Sequence, residues 1–340
     1  MGFFDKFKKK DQQVFERYSE FENHILSGNW EQLRKLAEKR LAEEGENPFL
    51  LLMISMSDFY SFSHKKSHER SLLIEEASKK HRELAKKFDL EYTANTFLEW
   101  VKGFSKRHPK NQNVMVLLGA AYVGNDRYKD GIKTFKKAIK INPDLPEAAQ
   151  ELCSAYRDLG KYREAVEWGK RAVQLDPKYA DAHLVLGKVY FFQKEFEKAL
   201  VEFQKAVELD PESSNAWSDL SGIKKELNRP EEAIHAAKKA LTINPENQDA
   251  LINLANAQVD TENIDKAIKN YRQVLQINPE NLLALHNLGL ALSVKGDYNE
   301  AIKTYERLLN IQGSDPSLNL EAYKQKITEL KEKKNPKITH

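Results

Sequence analysis

The sequence is poor in cysteine and has no long apolar run. Its 340 residues include a single cysteine, Cys153, which excludes an intrachain disulfide and is typical of a reducing compartment. The most apolar window, residues 49–56, is much shorter than the ~20 residues that span a bilayer. Residues 1–10 lack the apolar core of a secretory signal, so we expect a cytoplasmic protein.

Concentrated charge and catalytic motifs are also missing. The net charge is only +3, and acidic and basic side chains alternate at helical spacing, whereas a nucleic-acid-binding protein needs a basic stripe. No glycine-rich phosphate loop, nucleophile elbow or paired-carboxylate motif is present. His64 and His68 lie four residues apart, but no nearby acidic or cysteine set completes a metal site. We therefore expect no enzymatic activity, no cofactor, no metal and no nucleic-acid partner.

A 34-residue repeat dominates the rest of the chain. Prolines recur at this interval, at Pro109, Pro143, Pro177, Pro211, Pro245 and Pro279. If each proline is position 32 of a unit, the units are residues 112–145, 146–179, 180–213, 214–247, 248–281 and 282–316. Position 7 is leucine in all six units, and positions 8 and 20 are small. Positions 4, 7, 8 and 11 share one helical face, so each unit predicts two closely packed antiparallel helices.

This pattern closely resembles the tetratricopeptide repeat (TPR). The resemblance implies an all-α fold, a right-handed α-solenoid in which each helical hairpin covers the next. A degenerate repeat is predicted at residues 78–111, and divergent helical hairpins that continue the solenoid at residues 12–77. A separate helical domain is the alternative for these N-terminal residues. Apolar residues in the segment 317–333 predict a capping helix, followed by a disordered tail at residues 334–340. Lys224 and Gln258 depart from the pattern, because they replace the usual aromatic residue at position 11.

The first helix of each unit is expected to line a concave groove, with positions 2, 5, 6, 9, 12 and 13 towards a ligand. The predicted contact residues are Arg157, Lys188, Phe191, Phe192, Asn253, Asn256 and Asn287. Asn253 and Asn287 both occupy position 6, and a similar asparagine ladder lines the TPR superhelix of the O-linked N-acetylglucosamine transferases. An asparagine offers a donor and an acceptor to a peptide backbone. Two alternatives stay open: solvated asparagines without a ligand, and a phenylalanine that packs on a neighbouring helix.

The leading hypothesis is a non-enzymatic scaffold that binds an extended or helical segment of a partner protein in its groove. A second hypothesis concerns the N-terminal segment, residues 1–11, where Phe3, Phe4 and Phe7 share a helical face beside four lysines. Such a segment suits an anionic bilayer, and a membrane-associated assembly factor could be tethered by it. Ordering these residues costs about 1–2 kcal/mol each, so the contact would be weak and reversible. A third hypothesis is a homo-oligomer, in which a terminal helix of one molecule lies in the groove of another.

Overall fold

The structure is a computed structural model that describes residues 19–44, 50, 53, 54, 90–312 and 320–334. Within these residues the chain is helical, without a β-strand. It divides into two compact units, residues 1–212 and 213–340. The predicted membrane contacts Phe3, Phe4 and Phe7 lie outside the described residues, as do His64, His68 and the tail from residue 335.

Unit 1 is a series of antiparallel helices. In chain order they are α1 (Glu22–Ser27), α2 (Trp30–Glu44), α3 (Leu90–Arg107), α4 (Gln112–Val123), α5 (Tyr128–Ile141), α6 (Pro146–Asp158), α7 (Tyr162–Leu175), α8 (Ala180–Phe192) and α9 (Phe196–Leu209). Each of the pairs α4–α5, α6–α7 and α8–α9 is one sequence repeat, and successive pairs pack on each other. The structure thus confirms the predicted stack of hairpins in this unit.

Unit 2 continues the same pattern. Its helices are α10 (Ser214–Glu226), α11 (Pro230–Ile243), α12 (Gln248–Asp260), α13 (Ile264–Ile277), α14 (Leu282–Lys295), α15 (Tyr298–Gln312) and α16 (Leu320–Lys334). The last helix, α16, packs against α15, and its Ile327 and Leu330 are buried in the same core. This is the predicted capping helix, which shields the apolar face that the final hairpin would otherwise expose.

Small residues at position 8 let the two helices of a hairpin approach closely. A Cβ atom added at Gly289 on α14 would lie 2.6 Å from the ring of Tyr305 on α15. At Gly187 on α8 the corresponding distance to the ring of Phe203 is 2.7 Å. The aromatic ring of the second helix therefore fills the space that a side chain at position 8 would need.

The turn inside each hairpin has one conformation in all six repeats. Position 15 is left-handed, with φ between 57° and 90°, at Asp126, Gly160, Lys194, Asn228, Glu262 and Gly296. The next residue donates its backbone N–H to the carbonyl five residues earlier, as Lys161 does to Tyr156 at 2.9 Å. This bond closes the end of the first helix in the manner of a Schellman motif.

Residues 19–44 form a helical hairpin that shares the core of the first repeats. Phe21, Ile25 and Leu33 are buried in the same apolar cluster as Phe104 of α3. The side-chain amide of Asn111 donates to the carbonyl oxygen of Leu26 at 3.1 Å. In the predicted degenerate repeat, α3 is the described part, and its in-register apolar side chains are buried.

The two polar residues at position 11 are accommodated by polar partners on the second helix. Lys224 forms an ion pair with Glu232, with 2.9 Å between Nζ and Oε2. Gln258 is buried, and its Oε1 accepts a hydrogen bond from Asn270 at 2.8 Å. A buried polar group is tolerated when its hydrogen bonds are made, so these departures leave the hairpin intact.

Candidate functional site

The face of unit 2 formed by the first helices α10, α12 and α14 carries a row of asparagines. Asn253 on α12 is half-buried, and its Nδ2 donates to the backbone oxygen of Ser218 on α10 at 3.0 Å. Within the described residues its Oδ1 has no hydrogen-bond partner. The Nδ2 of Asn253 therefore links two repeats, and its Oδ1 remains available as an acceptor.

Asn256 and Asn287 form a second link, between α12 and α14. The Oδ1 of Asn256 accepts from the Nδ2 of Asn287 at 3.0 Å and from the hydroxyl of buried Tyr271 at 2.6 Å. The Nδ2 of Asn256 and the Oδ1 of Asn287 make no such bond to a residue that the structure describes. This pair thus keeps one donor and one acceptor for a ligand.

Apolar side chains are exposed beside these amides, on α14. The exposed fraction is 54% for Leu283, 40% for Leu290 and 70% for Val294. With Asn287 they are spaced i, i+4, i+7 and i+11, so they lie on one side of the helix. We call Leu283, Leu290 and Val294 the α14 stripe. These three residues occupy positions 2, 9 and 13, which the sequence predicted to face a ligand, but none of them was among the predicted contact residues.

In unit 1, the two predicted cationic contacts are both engaged. Arg157 makes a two-pronged contact with the adjacent Asp158, with distances of 2.7 Å and 2.9 Å to Oδ1. Lys188 on α8 is half-buried and has an interaction of its own. A bound anion would have to compete with these existing partners.

The two predicted aromatic contacts lie at the end of α8 and differ in exposure. Phe191 is half-buried and packs on Phe196, with 5.8 Å between ring centroids. Phe192 is 55% exposed and stacks on Tyr162 at 6.0 Å, with the rings nearly parallel. Phe192 therefore presents one ring face to solvent, while Phe191 helps to hold the turn between α8 and α9.

The least expected group in unit 1 is the carboxyl of Glu151 on α6. Glu151 is only 9% exposed. Among the described residues, its side chain has no hydrogen-bond partner and no ion-pair partner. Burial, and next the negative charges of Asp158 and Asp181, raise the pKa of Glu151 to about 7. Glu151 is position 6 of its repeat, one of the positions that the sequence predicted to face a ligand, but it was not among the predicted contact residues.

The described parts of the chain give little support for metal binding, a reactive cysteine or a membrane span. No group of three His, Cys, Asp or Glu side chains there could hold a metal ion. Burial raises the pKa of the Cys153 thiol to about 12, so little of the reactive thiolate forms at neutral pH. Among the described helices, none has both the length and the apolar character needed to cross a membrane.

Comparisons with known proteins agree with this architecture. Family models of the tetratricopeptide repeat match residues 113–145, 154–194 and 180–213, and the model of the cytochrome c-type biogenesis protein H TPR domain matches residues 206–318. A search of curated proteins found no match.

Among solved structures, the chain is similar to Pseudomonas aeruginosa PilF, with 19% identity and a TM-score of 0.54, over 63% of this chain and 97% of PilF. It is also similar to the structure titled APC/C hetero-tetramer Cut9-Hcn1, with 16% identity and a TM-score of 0.63, over 87% of this chain and 58% of the other. At these identities the likeness concerns the fold alone. Together with the repeat models, it shows that the chain belongs to the tetratricopeptide repeat family.

Proposed function

We propose that this chain is a non-enzymatic scaffold that binds an extended segment of a partner protein along α10, α12 and α14. The TPR fold is typical of protein–protein interaction, and members of the family are generally non-catalytic scaffolds. The observation that carries the proposal is the α14 stripe, whose three exposed apolar side chains lie in a row beside unsatisfied amide groups. Exposed apolar rows with a polar rim commonly mark interaction sites.

The polar groups favour an extended segment. An extended chain presents backbone N–H and C=O groups at its edges, whereas a helix has already paired them. The Oδ1 atoms of Asn253 and Asn287 can accept from such N–H groups, and the Nδ2 of Asn256 can donate to a carbonyl. Because these contacts read the backbone, the apolar side chains of the segment would supply the specificity, through the α14 stripe.

Unit 1 has a candidate contact of its own. The exposed ring face of Phe192 could receive an apolar side chain, since aromatic residues are frequent anchors at interfaces. Arg157 and Lys188 would act there only if a ligand drew them from their present partners. The cytoplasmic location and the membrane contact of Phe3, Phe4 and Phe7 stay predictions from the sequence.

A peptide selection tests the proposal. A random 12-residue peptide library on phage is selected on the immobilised full chain, and the affinity of each enriched peptide is then measured by calorimetry. In the test variant all members of the α14 stripe become serine: Leu283→Ser, Leu290→Ser and Val294→Ser. Val201→Ser is the control, because Val201 is 62% exposed on the second helix α9.

Burying a whole Leu or Val side chain is worth about 1.5–3 kcal/mol, and roughly half of each is exposed here. Because the cost of ordering the peptide is common to both proteins, we expect the triple variant to bind at least about 10-fold more weakly than the wild type and the control to bind as the wild type does. Equal affinity of the triple variant and the wild type would refute the proposal. If the free chain instead forms dimers by light scattering and the triple variant is monomeric, the stripe binds a second copy.

A further inference from the structure

Glu151 occupies the repeat position that holds asparagine in two repeats of unit 2. It is position 6 of its repeat, as Asn253 and Asn287 are of theirs. In unit 2 the amide of Asn253 reaches Ser218, which is position 5 of the preceding repeat. The residue equivalent to Ser218 next to Glu151 is Val116 on α4, an apolar side chain. The bond of Asn253 is a donation to a backbone oxygen, which an ionised carboxylate cannot make, and the side chain of Val116 offers Glu151 no donor in its place.

An ionised carboxylate that is buried without a partner is unfavourable, and it gains much from a cation that comes close. The pKa of Glu151 is raised to about 7 for the same reason, because no nearby donor or cation fully offsets the loss of hydration of the charged form. Arg157 is the cation that acts on it, but this guanidinium already contacts Asp158. Helix α4, which precedes α6 as a first helix, carries no charged residue and so supplies no cation to Glu151.

The remaining charges leave this face acidic. The negative charges of Asp158 and Asp181 raise the pKa of Glu151, and the positive charge of Arg157 lowers it. Asp181 and Lys188, both on α8, each have an interaction of their own. A positively charged ligand would thus meet an excess of negative charge around a carboxyl that accepts no hydrogen bond from the described residues.

We infer that the carboxylate of Glu151 binds a lysine or arginine side chain of a polypeptide that lies across α4, α6 and α8. This inference rests on the proposed function, because it assumes that the chain binds polypeptides, and it adds a charge preference in unit 1. A guanidinium or ammonium group supplies several N–H donors, which match the free lone pairs of the carboxylate. The rest of the polypeptide would extend over the first helices of unit 1.

The test uses the phage-displayed 12-residue library on the full chain at pH 8.0, where Glu151 is ionised. Enriched peptides with a basic residue at a fixed position are synthesised, and each is paired with a version that has norleucine there. Affinities for both peptides are measured with the wild type, Glu151→Gln and Glu167→Gln. The last variant is the control, since Glu167 is exposed on α7 and 3.9 Å from Arg163.

We expect Glu151→Gln to lower the affinity for the basic peptide at least about 10-fold and to change the affinity for the norleucine peptide by no more than about 2-fold. The control Glu167→Gln should change neither affinity. Equal weakening of both peptides, or none of either, overturns the inference, and so does a selection without a fixed basic residue. In those cases the proposed function survives, because peptides still bind. A selection that yields no peptide overturns both. Far-UV circular dichroism of each variant verifies that the helices are retained.

Discussion

Replacement of Glu151 by glutamine should change how the stability of the chain depends on pH. Glutamine has nearly the same shape as glutamate but does not titrate. In the wild type, this carboxyl is buried on α6 without a hydrogen bond from the described residues, and its pKa is about 7 instead of 4.5. Its charged form is therefore disfavoured in the folded state, mainly by desolvation.

The direction follows from the raised pKa. Between pH 4.5 and 7 the folded chain holds the proton of Glu151 more tightly than the unfolded chain does. The stabilisation from this group is thus fully present below pH 4.5 and is lost as the pH rises through about 7. One pKa unit corresponds to about 1.4 kcal/mol. From pH 5 to pH 9, the wild type should lose about 2–3 kcal/mol of unfolding free energy that Glu151→Gln retains.

The assay is urea unfolding of both proteins at pH 5, 7 and 9, followed by circular dichroism and tryptophan fluorescence. Because other titrating groups are common to both proteins, the difference between their unfolding free energies isolates Glu151. The control Glu167→Gln should stay within about 0.5 kcal/mol of the wild type at each pH. A difference between wild type and Glu151→Gln that stays constant from pH 5 to pH 9 would refute the reasoning.

Three further predictions concern the packing of the repeats, and each is measured as the unfolding free energy in urea. Gly289→Ala should lower the free energy of unfolding by about 1–3 kcal/mol, because its Cβ would lie 2.6 Å from a buried ring. Gly222→Ala, whose Cβ would lie 3.4 Å from its nearest neighbour, should be neutral or stabilising. Asn256→Ala should cost about 1–3 kcal/mol by leaving the Tyr271 hydroxyl without its acceptor, and Tyr271→Phe in the same chain should recover part of this loss. Glu262→Gly should stabilise by about 0.5–1 kcal/mol, because φ is 59° there. A change of the opposite sign in the free energy of unfolding would contradict the corresponding prediction.

The helices themselves could be predicted because their causes are local and repeated. The first helices begin at the residues where the 34-residue units begin, from Gln112 to Leu282. A helical period and a proline near the end of each unit are enough to place them. The shared left-handed turn was harder to see, since Lys194 and Glu262 adopt it although neither residue type favours it. The packing of the hairpin imposes this conformation.

The candidate site could be predicted only in part. The helical wheel placed Asn253 and Asn287 on the groove face, but it could not show that their Nδ2 atoms are already bonded to the preceding repeat. It also could not separate Phe191, which is half-buried, from the exposed Phe192. These differences depend on which residue a neighbouring helix places opposite each side chain.

The sequence by itself determined the repeat, its helical hairpins and the residues that share each helical face, because these follow from spacing along one chain segment. Only the tertiary structure decided which polar atoms remain for a ligand. Asn253 donates to the backbone oxygen of Ser218 and is half satisfied, whereas the carboxyl of Glu151 needs a donor, finds none on Val116, and has no hydrogen bond from the described residues. The physical reason is that desolvation and hydrogen bonding act between residues about 34 positions apart, which meet only when one hairpin packs on the next.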